Sequence, residues 1–111
     1  MNMKVLFICN QNENRSKTAE KLFKRDFRTK SAGLFNQKPV TKGQIAWADI
    51  IMVMENEQRT EISKRFPELY LQKRILSLEI KDIYRYNQPE LIKELKKKVN
   101  EFILAIPQIA S

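Results

Sequence analysis

Two uninterrupted apolar runs constrain this chain most. Residues 4–9 read KVLFIC and residues 49–54 read DIIMVM. Both are short, rich in β-formers and free of polar alternation, the pattern of a strand buried on both faces. Such a strand needs helices above and below it, and the segments between supply them. After the first run a polar loop, NQNEN, leads into SKTAEKLFKRDF, where Ala19, Leu22, Phe23 and Phe27 recur at helical spacing. TKSAGLF suggests a short strand ending near Gly33. Thr41 and Gln44 make a capping-box pattern that predicts a helix over residues 42–48. Asn56 is placed to cap a helix running to Phe66, with Pro67 just past its end. KRILSLEI, residues 73–80, reads as a fourth strand, and KDIYRYNQ reads as loop. Asn87 and Glu90 form another capping pattern with Pro89 in the first turn. The last helix then presents Leu91, Ile92, Leu95, Val99, Phe102, Ile103 and Ile106 on one face, and Pro107 ends it. Strands alternating with helices predict an α/β fold: a three-layer sandwich with a four-stranded parallel sheet flanked by helices.

The chain has 111 residues and no repeat, low-complexity tract or linker, so residues 1–111 are expected to form one domain. One cysteine excludes an internal disulfide and a four-cysteine zinc site, and fits a reducing compartment. With no histidine, histidine-ligated metals, Ser–His–Asp triads and Cys–His dyads are excluded as well. Any catalysis must use Cys, Asp, Glu, Arg, Lys, Tyr or backbone groups. The apolar stretch before Asn10 is too short for a signal-peptide core, and no later run is long enough to span a bilayer. The expected location is the cytoplasm, with no membrane association. The net charge of +8 favours acidic or phosphorylated partners. It is spread along the chain, and its one cluster, KELKKKVN, reads as a solvated helix face. A nucleic-acid binder driven by this charge is the weakest reading, because no recognised nucleic-acid motif is present.

Cys9 ends the first strand, at the edge where open parallel sheets bind ligands. The loop that follows opens a helix, whose unpaired N–H groups and dipole make an anion site. Arg15 adds a guanidinium able to hold two phosphate oxygens. Thiols beside a helix N-terminus and a cation ionise readily, so this setting suits a nucleophile. Ser16 is placed to donate a hydrogen bond to the sulfur. The competing reading is a small buried hydrophobe, but the Cys-to-Arg-Ser spacing between a strand and a helix favours chemistry. Trp47, at a helix–strand junction, is expected in the core.

The stretch CNQNENRS, residues 9–16, resembles the Cys-x5-Arg-Ser loop of protein tyrosine phosphatases. Its place after the first strand is similar to the low-molecular-weight class. RSKTAE resembles that family's continuation into the first helix, and SAG at Ser31–Gly33 its second-strand motif. ADIIMVME resembles its third-strand segment, and DIY at Asp82–Tyr84 its Asp-x-Tyr acid loop. WADIIMVME, KRILSLEIKDIYRYNQPELI and the short length resemble a compact bacterial branch of predicted phosphatases.

The resemblance implies phosphomonoester hydrolysis through a phosphocysteine on Cys9, with Asp82 as proton donor and then as base. It implies a phosphate-binding loop of Asn10, Gln11, Asn12, Glu13, Asn14, Arg15 and Ser16, in which Asn12 bonds Ser16. Tyr84 would wall the pocket and stack on an aryl substrate, with Tyr86 a weaker candidate. No metal or cofactor is expected. The implied partner is a phosphorylated protein or a small phosphate ester.

The match departs from the family in four places. Gln11 stands where a glycine is usual, and an unusual backbone angle is expected there. Asn14 replaces a second loop cysteine, so a disulfide that would protect the nucleophile is absent. Ile83 replaces the commoner proline. Glu13 brings a carboxylate into an anion site, where it repels phosphate unless it points outward. These departures keep a second reading open: a non-catalytic phospho-ligand binding module, or a phosphocysteine carrier, using the same loop. Thiol-linked arsenate reduction needs further cysteines, and a carrier does not need Arg15.

Overall fold

The structure, a computed structural model, describes residues 3–105. Strands are β1 (Lys4–Cys9), β2 (Arg28–Gly33), β3 (Ile50–Val53) and β4 (Arg74–Ser77). Helices are α1 (Arg15–Phe23), α2 (Lys42–Trp47), α3 (Asn56–Arg65), α4 (Pro67–Gln72) and α5 (Pro89–Ala105). The strands form one parallel sheet in the order β2-β1-β3-β4. The four-stranded parallel sheet between helices is thus as expected.

Period-two alternation splits the apolar runs between two cores. Val5, Phe7, Cys9 and Met52 point to one face, where they pack with Ala19 and Phe23 of α1 and Leu91, Leu95 and Val99 of α5. Leu6, Ile8, Ile51 and Val53 point to the other, packing with Ile45 of α2 and Ile62 of α3. Residues 5–8 of β1 are fully buried, which is why the run carries no polar position. Successive connections from β1 leave toward β2 and then return to β3, so the strand order reverses beside β1. The crevice at that reversal is where such sheets bind ligands, and Cys9 lies at it.

Several element boundaries differ from the expectation. The first helix stops at Phe23, with Lys24 as its C-cap. Phe27 lies beyond it, in a turn whose Asp26 and Phe27 N–H groups both donate to the Phe23 carbonyl. Phe27 still packs on the core. The capping box of Thr41 and Gln44 forms as read, and α2 ends one residue early, at Trp47. The third helix is capped at Glu55, one residue before Asn56, and Gln58 accepts the Glu55 N–H at 3.0 Å. Pro67 ends α3 and also opens α4, a short helix the sequence pattern had hidden.

The fourth strand covers only Arg74–Ser77 of the expected 73–80. Leu78 and Ile80 N–H groups still bond the Val53 and Met54 carbonyls, but Glu79 between them sits at φ 54° and breaks the extended run. Asn87 takes φ 59° and precedes the last helix; the Gln88 carbonyl accepts its first N–H bond, from Ile92. The Gln88 amide donates to Glu90 at 2.9 Å. That bond and the Glu90 N–H hold the Glu90 carboxyl below its usual range. Ile106 and Pro107 fall outside the described residues. Trp47 is half-buried against the second core, with Lys30 Nζ 4.4 Å from its ring centre.

Candidate active site

The loop after β1 is held from both sides. The Asn10 carbonyl accepts N–H bonds from Leu34 and Phe35 at 3.0 and 2.9 Å, tying the loop to the turn after β2. Gly33 makes that approach possible: a Cβ there would stand 3.0 Å from the Asn10 oxygen and 2.8 Å from the Asn36 side chain. On the other side, Gln58 donates to Asn10 Oδ1 at 3.1 Å while its own oxygen accepts the Met54 N–H at 2.7 Å. Gln58 is buried and joins the end of β3 to the loop.

The left-handed backbone angle falls at Asn12 (φ 55°), not at Gln11. The expectation for Gln11 therefore fails, because the turn is made one residue later by a side chain that tolerates that region. The turn points the Asn12 N–H at Cys9 Sγ, 3.2 Å away. Ser16 Oγ lies 3.0 Å from the same sulfur and donates to Asn12 Oδ1 at 2.6 Å. The sulfur therefore meets one backbone N–H and one hydroxyl. The unpaired N–H groups of the first turn of α1 face the loop that holds it.

Arg15 is 1 % exposed, although it carries a full charge. Its Nη1 donates to Glu55 Oε1 at 2.8 Å and to the Ile80 carbonyl at 2.7 Å. Asp82 Oδ1 is 3.7 Å from Nε. Two partners thus hold one nitrogen from behind, and Nη2 makes no hydrogen bond among the described residues. Burial of an arginine is tolerated only with such pairing.

Cys9, Gln11, Glu13, Asn14, Arg15 and Asp82 line a depression of about 50 Å³. Clefts for drug-sized ligands run to roughly 300–1,000 Å³, so this one admits a group of a few atoms. The expected trio of Cys9, Arg15 and Asp82 is brought together. Asp82 is the exposed member, its side chain 59 % accessible. Glu13 is also exposed, on the rim. Tyr84 does not line the depression; it is half-buried against the first core. Tyr86 lines a separate groove along α1.

The sequence pattern missed Glu55, Gln58 and the Thr18–Asn87 link, in which the Asn87 N–H donates to Thr18 Oγ1 at 2.8 Å. Glu55 and Gln58 did leave a signal. They follow the DIIMVM run at the ligand-binding end of the sheet, at capping-box spacing, and reading Asn56 as the cap concealed them.

No family model matches the chain, and no curated protein matches it significantly. Solved structures do match. The architecture is the α/β fold of the low-molecular-weight protein tyrosine phosphatases. The low-molecular-weight protein tyrosine phosphatase from T. tengcongensis is similar at a TM-score of 0.74 and 21% identity, over 95% of this chain and 100% of that one. The tyrosine phosphatase Wzb from Escherichia coli K30, in complex with phosphate, gives 0.76 at 20% identity, over 96% and 99%. A mutant of the YwlE arginine phosphatase with a phosphorylated active-site serine gives 0.76 at 16% identity, over 97% and 98%.

Proposed function

We propose that residues 1–111 form a cysteine-dependent phosphomonoester hydrolase of the protein tyrosine phosphatase type. The observation that carries the reading is that Cys9 and Arg15 together line a depression of about 50 Å³, room for a phosphoryl group. In the proposed reaction Cys9 Sγ attacks phosphorus in line, an S–P bond forms and the bond to the leaving group breaks. Asp82 gives the leaving atom its proton, then takes one from the water that cleaves the phosphocysteine. Arg15 and the N–H groups of residues 10–16 hold the equatorial oxygens. When the thiolate departs, the Ser16 hydroxyl turns its proton from Asn12 Oδ1 to the sulfur 3.0 Å away and steadies it. No step calls on a metal or cofactor. The names of the similar structures span tyrosine and arginine phosphatases, so the proposed substrates are phosphorylated proteins or small phosphate esters. Every lining residue except Cys9 is polar, which leaves an aryl ring without a stacking wall unless Tyr84 moves. The single cysteine supports a cytoplasmic setting.

Glu13 on the rim favours one second reading, a phospho-ligand binding module or phosphocysteine carrier without turnover. Hydrolysis of an aryl phosphate and of phosphoarginine, with EDTA present, separates the two. Turnover by the wild type, lost in Cys9→Ser and reduced by roughly 10²–10⁴ in Asp82→Asn, is the expected result. Phosphate binding with no turnover of either substrate would move the assignment to the binding module.

A further inference from the structure

The exposed face of α1 carries Lys17 and Lys21, and Lys24, its C-cap, continues them at helical spacing as one stripe. Asn14, which lines the Cys9 depression, stands three residues before Lys17. Its carbonyl already accepts the Thr18 N–H at 3.0 Å, so it belongs to the same helical register. The stripe therefore runs out of the depression. With Glu20, Thr29 and Tyr86 it lines a groove of about 490 Å³. The far wall is fixed: the Asn87 N–H on Thr18 Oγ1 pins the loop carrying Tyr86 and Asp82 against α1. Glu20 is engaged elsewhere, accepting the Ser31 hydroxyl at 2.5 Å. None of the three lysines forms an ion pair among the described residues.

We propose that this groove receives an acidic stretch of a phosphorylated protein, next in sequence to the phosphorylated side chain seated over Cys9. The inference rests on the phosphomonoester reading of the site. From Lys17 to Lys24 the stripe spans about 10 Å at 1.5 Å per residue, the reach of about three residues of extended chain. A carboxylate-bearing segment of that length meets three unpaired ammonium groups, and Tyr86 offers it an apolar edge. A nucleic acid is a poorer occupant, because its internal phosphates are diesters and cannot present a phosphoryl terminus to Cys9.

The test is a titration of labelled phosphotyrosyl peptides onto the full chain carrying Cys9→Ser. The peptides carry three Glu or three Gln, on either side of the phosphotyrosine. Glu on one side is expected to tighten binding roughly three- to tenfold. That gain should vanish in a Lys17→Glu/Lys21→Glu double variant and fade with added salt. The same double substitution with Cys9 intact should leave small aryl phosphate turnover unchanged. Equal binding of Glu and Gln peptides overturns the proposal. So does a preference that survives the double substitution, a matching loss of small-substrate turnover, or equal competition by a single-stranded DNA lacking a terminal phosphate. If the wild type hydrolyses no aryl phosphate while the Glu preference stands, the hydrolase reading falls and the groove assignment remains.

Discussion

At the scale of single residues, the site depends on small polar groups and on how they are held. Asn12 supplies the left-handed turn and the acceptor for Ser16 at once. Arg15 depends most on its neighbours. Its guanidinium is aimed by Glu55 and the Ile80 carbonyl, so Glu55 acts on the depression without lining it. Replacing it by Gln keeps the shape and removes the charge that holds Nη1. We expect Glu55→Gln to lower kcat/KM for an aryl phosphate roughly ten- to hundredfold, since small misplacements of a positioning group cost about that much. Inorganic phosphate should inhibit the variant more weakly as well. Steady-state kinetics with phosphate inhibition decide it; unchanged values in both would show that Ile80 alone sets the guanidinium.

At the scale of elements, β1 carries the site and the cores together. Phe7 is fully buried and stacks on Phe23 of α1 at 5.8 Å between ring centres. Phe7→Ala removes contacts on both elements that flank the loop, and is expected to cost about 3–5 kcal/mol. Urea unfolding followed by far-UV circular dichroism measures it. A loss under about 1 kcal/mol, well below that range, would mean the surroundings collapse around the missing ring. The elements the sequence misjudged fail for local reasons. Glu79 turns left-handed between two residues that still bond the Val53 and Met54 carbonyls, so an eight-residue pattern yields a four-residue strand. Pro67 serves two helices at once, which no single-helix stop rule anticipates.

At the scale of the whole molecule, ligand binding and stability are linked. An anion that occupies the Cys9 loop only in the folded state stabilises it by RT ln(1 + [L]/Kd), about 2.7 kcal/mol at a hundredfold excess over Kd. Phosphate should therefore raise the Tm in a concentration-dependent way. Arg15→Ala should abolish that rise, and sodium chloride at equal ionic strength should not reproduce it. A calorimetric scan with each salt checks this. A Tm rise that persists in Arg15→Ala would place the stabilising anion elsewhere on a chain of net charge +8.

The strand–loop–helix setting of Cys9, the parallel sheet and most of the helices were legible in the residues alone. They were so because apolar period and capping chemistry are local. The Cys-x5-Arg-Ser spacing was legible for the same reason: cysteine, loop and guanidinium lie within one short segment. The folded chain alone shows what aims Arg15, because Glu55 and Ile80 are 40 and 65 residues away and reach it through strand order. It also shows that Asn12 and not Gln11 takes the left-handed angle, and that Tyr84 packs inward while Tyr86 faces the lysine stripe. A loop's backbone angles and the direction of its side chains follow from what the loop is anchored to. Here those anchors are Gly33, Gln58 and Thr18, and each belongs to a different element.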